Sequence, residues 1–80
     1  MDDKTIEEQV KEIVAKELGR DLGEIQNEYS FIGDLGASNA NITAMFDAME
    51  EKFPNVEFTI EEYDSLTTVQ AVIDFIAKHS

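Results

Sequence analysis

The sequence predicts an all-α fold, a small bundle of three longer helices and one short one, with a long loop between the first and second helices. Three observations carry this. Apolar residues recur at helical spacing in three separate segments. Ser/Thr residues followed three positions on by Glu or Gln stand ahead of helical segments. No pair of segments reads as paired strands. Eighty residues are too few for two independent cores, so residues 1–80 form one domain.

Thr5-Ile6-Glu7-Glu8 has the spacing of a capping box, and Ile6, Val10, Ile13, Val14 and Leu18 then share one helical face. Gly19 is a suitable stop, so the first helix spans residues 5–18. Residues 19–37 show no helical period. They are expected to form an ordered loop held down by Leu22, Ile25, Tyr29, Phe31, Ile32 and Leu35, and loops of that length often carry function. Ser38 is placed to cap a second helix over 39–53, with Ile42, Met45, Phe46, Met49 and Phe53 on its inner face and Pro54 beyond its end. Thr59 and Glu62 have capping-box spacing ahead of a helix of one or two turns. Thr67 and Gln70 offer the same spacing ahead of a last helix over 68–78, which places Val69, Val72, Ile73 and Ile76 together.

The charge is the outlier of the composition: 18 Asp and Glu against 6 Lys and Arg give −12. Nucleic acid and anionic membrane both require a basic surface, so neither is expected as a partner; basic protein surfaces are. Self-repulsion at this charge should be relieved by salt. The melting temperature is therefore expected to rise from low to moderate ionic strength, and a flat profile would contradict this. No cysteine is present for a disulfide, a thiolate metal site or a nucleophile. Met1-Asp2-Asp3-Lys4 lacks the basic and apolar regions of an export signal, and no apolar run approaches a membrane span, so a cytoplasmic location is expected.

Acidic helical chains invite a calcium-loop reading, but no segment has the alternating oxygen ligands, central Gly and closing Glu, and no metal site is expected. His79, the single histidine, sits at a helix end where positive charge suits the dipole. It lies one residue from the end of the sequence, where helices fray, and no nucleophile–base pair is in sight, so no catalytic residue is assigned and the chain is not expected to be an enzyme. Residues 37–46 form the most informative segment, because they contain no charge in a chain that is 30% charged. They cover the end of the loop and the start of the second helix, where free N–H groups and the helix dipole favour an anion such as phosphate. Ser38 is thus either a docking or attachment point or simply a cap.

Four fragments in order resemble the acyl carrier protein family. They are Thr5-Ile6-Glu7-Glu8-Gln9-Val10, Phe31-Ile32-Gly33-Asp34-Leu35-Gly36-Ala37, Ala48-Met49-Glu50-Glu51-Lys52-Phe53, and the run from Leu66 to Ile76. The resemblance covers nearly the whole chain without gaps. It implies a bundle of three longer helices and a short one, and a 4′-phosphopantetheine arm whose thiol carries an acyl group as a thioester, as in fatty acid biosynthesis and lipid metabolism. In that family the arm is attached to the serine of an Asp-Ser-Leu motif just after the "DLG" segment.

This sequence departs from the pattern there. Gapless alignment sets Ser38-Asn39-Ala40 against Asp-Ser-Leu, so Asn39 takes the attachment position and has no hydroxyl to modify. Ser38, one residue early, would reach it only through a register slip compensated by a bulge before Met45. Two readings stay open: a specialised carrier modified at Ser38, and a carrier-like module without the arm that acts through protein interactions. A literal Asp64-Ser65-Leu66 lacks the preceding "LG" and reads as a turn anchored by Leu66. The resemblance further implies a monomer that docks on a phosphopantetheinyl transferase and on acyl synthases or transferases with basic surfaces. Asn41, Ile42, Met45, Asp47, Glu50 and Glu51 of the second helix would make those contacts.

Overall fold

The computed structural model describes residues 5–79, and the opening Met1–Lys4, read above for an export signal, lies outside them. Four α-helices follow one another: α1 (Ile6–Leu18), α2 (Asn39–Lys52), α3 (Ile60–Ser65) and α4 (Val69–His79). Among the described residues no strand forms, although Ser30 and Thr68 make one isolated antiparallel bridge. No helix of these residues is long and apolar enough to cross a membrane.

Helix α1 begins as its sequence dictates. The Glu8 N–H donates to Thr5 Oγ1 at 3.1 Å while the Glu8 carboxylate accepts the Thr5 N–H at 3.2 Å, so two otherwise orphaned donors are satisfied. Gly19 ends the helix in the left-handed region at φ 66°, which a side chain would disfavour. Val10, Val14 and Ala15 are buried, with Ile6, Ile13 and Leu18 half-buried beside them, and this face packs on α2 and α4.

The loop is ordered by contacts with the start of α4, some forty residues further along the chain. The Phe31 N–H donates to the Thr67 carbonyl at 3.0 Å, Val69 N–H to Tyr29 carbonyl at 3.1 Å, and Gln70 N–H to Asn27 carbonyl at 2.8 Å. The Asn27 side-chain amide adds a 2.8 Å bond to Gln70 Oε1. These bonds give the loop's backbone groups partners that no regular ladder provides. Ile25, Phe31 and Leu35 are buried and Tyr29 is half-buried, as expected of anchors. Leu22 and Ile32 are not anchors: they are 44% and 62% exposed. Leu22 opens a short 3₁₀ turn, and Ile32 sits in the turn between Phe31 and Leu35, whose rings and chain take the inner side.

Helix α2 ends one residue earlier than its apolar stripe suggests, with Phe53 as its C-cap. Met45, Phe46 and Met49 are fully buried, flanked by half-buried Ile42 and Phe53. An irregular segment at 56–58 then inserts Val56 and Phe58 into the core. It is fixed by the Glu50 carboxylate, which accepts the Phe58 N–H at 2.8 Å. Phe58 stacks on Phe46 with centroids 4.5 Å apart, and Tyr63 meets Phe46 edge-on at 4.9 Å.

The Glu62 carboxylate accepts both the N–H (2.9 Å) and the hydroxyl of Thr59, as the spacing predicts for the start of α3. The hydroxyl bond first and the backbone bond second hold the Glu62 carboxyl below its ordinary value. A carboxyl with a lowered folded-state pKa contributes stability above its unfolded value of about 4.3, and that contribution is lost as pH falls through the lower folded value. Thr59→Ala is expected to return the Glu62 pKa, followed by NMR titration, towards that unfolded value. A pKa unmoved by the substitution would contradict the assignment.

The cap of α4 differs from the sequence expectation. Thr68, not Thr67, accepts the Ala71 N–H at 3.1 Å. Thr68 immediately precedes the first helical residue, and the expected partner Gln70 instead spends its side chain on Asn27 and on Asp74, at 2.8 Å each. Val69, Val72, Ile73 and Ile76 are buried as their spacing predicts. His79 is exposed at the end of the helix, its ring 4.3 Å from that of Phe75.

Candidate functional site at the start of helix α2

The chain enters α2 through Gly36 at φ 67°, a second left-handed residue, and through buried Ala37, whose N–H donates to the Phe31 carbonyl at 2.8 Å. Ser38 follows in an extended conformation and caps the helix. Its Oγ accepts the Asn41 N–H at 3.1 Å and donates to Asn41 Oδ1 at 2.9 Å, and Asn41 Oδ1 also accepts the Ser38 N–H at 3.0 Å. Capping by Ser38 is legible in sequence. The reciprocal role of Asn41 is not, because Glu or Gln usually fills that position.

Asn41 extends the network to α1, donating from Nδ2 to Glu17 Oε2 at 3.2 Å. The segment that is neutral in sequence therefore has a carboxylate near it in space, brought by a helix 24 residues earlier. The first turn of α2 itself holds no acid, unlike those of α1 and α3. The Asn41 N–H of this turn is taken by the Ser38 cap, and the helix dipole at this end favours an anion.

Helix α2 runs as regular α-helix from Asn39 to Lys52, and no bulge precedes Met45. Asn39 is its first residue and is exposed, while Ser38 stays outside as the cap. A groove of about 510 Å³ opens beside this turn, between Asn39, Ile42 and Thr43 on one side and Ile32, Tyr63 and Leu66 on the other. Burial pushes the Tyr63 phenol above its ordinary value, and the charges of Asp47 and Glu50 add to the effect.

The six residues expected on a docking face are placed differently from one another. Asp47 and Glu51 are exposed, and Asn41 and Ile42 are half-buried. Met45 is fully buried, a correction that follows from its sharing the inner face with Phe46 and Met49. Glu50 is half-buried and is committed to Phe58 rather than being a free surface acid. Asp64 and Ser65 close α3 rather than forming a separate turn, and Leu66 packs half-buried against the core as an anchor.

The residues present can be tested against an attached phosphate ester. Asn39 is unsuited, since an amide offers no hydroxyl for esterification. The register slip that would bring Ser38 to the family's attachment position does not occur, since α2 carries no bulge. Ser38 could serve only from the cap position, where it is exposed at a helix N-terminus without acids of its own and the open groove begins at the neighbouring residue. Esterification would remove the proton donated to Asn41 Oδ1 but leave the oxygen able to accept from the Asn41 N–H.

A family profile described as Phosphopantetheine attachment site matches residues 8–76. The match takes in α2 and α3 whole, most of α1 and α4, and the whole of the Ser38 region. The chain thus belongs to the phosphopantetheine attachment site family, the family of carrier domains on which the 4′-phosphopantetheine prosthetic group is held.

Proposed function

We propose that this protein is an acyl carrier protein in which Ser38 holds the prosthetic group and presents an acyl cargo to partner enzymes. The exposed Ser38 hydroxyl, at a helix start with no acid in its first turn, carries this reading. The group supplies a thiol that binds the cargo as a thioester, chemistry that a chain without cysteine does not have of its own. The protein's residues position it. Ser38 provides the oxygen, Asn41 and Glu17 fix the cap against α1, and the 27–31 loop fixes the approach to it. Asp47 and Glu51, exposed further along α2 in a chain of charge −12, favour partners with basic surfaces. The protein acts as a cytoplasmic monomer and itself catalyses nothing.

The reading is tested by intact mass after incubation with coenzyme A and a promiscuous phosphopantetheinyl transferase. The expected result is a gain of one phosphopantetheine that is lost in Ser38→Ala. No gain, under conditions that modify an ordinary carrier, overturns it. One observation favours a second reading, a carrier-like interaction module without the arm: Asn39 is the first residue of an unbulged α2, and the Ser38 hydroxyl is hydrogen-bonded as both donor and acceptor. That reading predicts no mass gain and a partner retained by Ser38→Ala.

A further inference from the structure

A carrier's structure also constrains its cargo. We infer that this protein suits short acyl groups held at its surface, and that a long aliphatic chain is not drawn between its helices; the inference rests on the carrier reading of Ser38. The apolar space behind the start of α2 is occupied by aromatic rings in contact. Phe46 and Phe58 are stacked with centroids 4.5 Å apart and planes 13° from parallel, Tyr63 closes on Phe46 edge-on at 4.9 Å, and Phe58 continues to Phe75 at 5.3 Å. Separations this small leave no width for a methylene chain between the rings.

The rings are also restrained. Phe46 is fully buried between Met45 and Met49, which are themselves fully buried on the same helix. The backbone at Phe58 is tied to α2, because its N–H donates to Glu50 at 2.8 Å, and its ring lies between those of Phe46 and Phe75. Entry of a chain would require parting these contacts in a core that behaves as a close-packed solid.

The space that remains near Ser38 is the open groove of about 510 Å³. Tyr63 belongs both to its lining and to the ring cluster, so the groove ends where the rings begin. Its lining is more apolar than polar, with Phe31, Ile32, Ile42 and Leu66 beside Asn39 and Thr43, but it is open to solvent. Methylenes lying there stay partly in water, so lengthening the chain brings little further burial.

The test uses the full protein loaded with acetyl-, hexanoyl- or dodecanoyl-phosphopantetheine from the matching coenzyme A thioesters, with loading verified by intact mass. The expected result is a melting temperature that does not rise with chain length and a thioester that hydroxylamine cleaves equally fast in all three. A dodecanoyl form that melts several degrees higher, or whose thioester is protected, overturns the inference while leaving the carrier reading intact. Absence of any mass gain overturns the carrier reading, and this inference with it. Phe46→Leu, with Phe58→Leu as a second variant should the first not fold, makes room beside the stack. Chain-length dependence is expected to appear there, and its absence in both overturns the assignment of the barrier to the rings.

Discussion

Phe46→Ala is expected to lower the free energy of unfolding by about 3–5 kcal/mol, the range for removing a buried phenyl ring from a core that cannot fully collapse. An 80-residue domain has a total stability of roughly 4–12 kcal/mol, so the loss ranges from about a quarter of that stability to all of it. The magnitude follows from the position. Phe46 has no exposure and contacts Phe58 and Tyr63, rings that come from the 56–58 segment and from α3. Its loss removes the ring contacts of both elements with α2 at once. Urea unfolding checks this by the displacement of the midpoint. Ile60→Ser, at an 82% exposed position on α3, is the matching control and should change stability by no more than about 0.5 kcal/mol. Equal effects from the two substitutions would show that the ring cluster is not the keystone of this half of the bundle.

Substitution of Ser38 should separate two roles of one oxygen. Ser38→Ala removes the acceptor for the Asn41 N–H and is expected to cost about 1 kcal/mol, seen as a melting temperature lower by about 4–8 °C. Ser38→Asp retains a capping acceptor and places a negative charge where the helix dipole favours it, so its melting temperature should stay close to that of the parent. Neither variant offers a hydroxyl at this position, and both should lose the mass gain from phosphopantetheinyl transfer. The Asp variant is thus the cleaner test of attachment, because its helix start remains capped. An Asp variant as unstable as the Ala variant would mean that the cap geometry needs more than an acceptor oxygen.

The three longer helices were legible in the sequence because each carries its own period, and the starts of α1, α2 and α3 because Thr5, Ser38 and Thr59 announce them. What escaped was non-local. Val56 and Phe58 are buried in a segment too short to display a period, and it is the Glu50 carboxylate, eight residues from Phe58, and the rings of Phe46 and Phe75 that keep Phe58 in place. Ile32 looked like an anchor by composition, yet Phe31 beside it takes the inner position. At the candidate site, Ser38 was legible as a cap and Asn39 as a substituted attachment position. The bond from Asn41 to Glu17 was not, since nothing local to the second helix signals where the first will end in space. Thr68 displaced Thr67 as a cap for a similar reason: Gln70 is engaged by a loop residue 43 positions away.

The bonds from Asn27, Tyr29 and Phe31 to residues 67–70 set an order of events for the newly made chain. Synthesis proceeds from the N-terminus, so Ser38 and its loop leave the ribosome before α4 does. Until then the loop lacks the strand-like partner against which it is aligned, and the turn through Gly36 and Ala37 has no fixed support. An enzyme that recognises the folded entrance to α2 would find it complete only once α4 has packed against the loop. Nascent fragments ending before α4 should escape it, leaving the last helix as a checkpoint on the maturation of the first half of the protein.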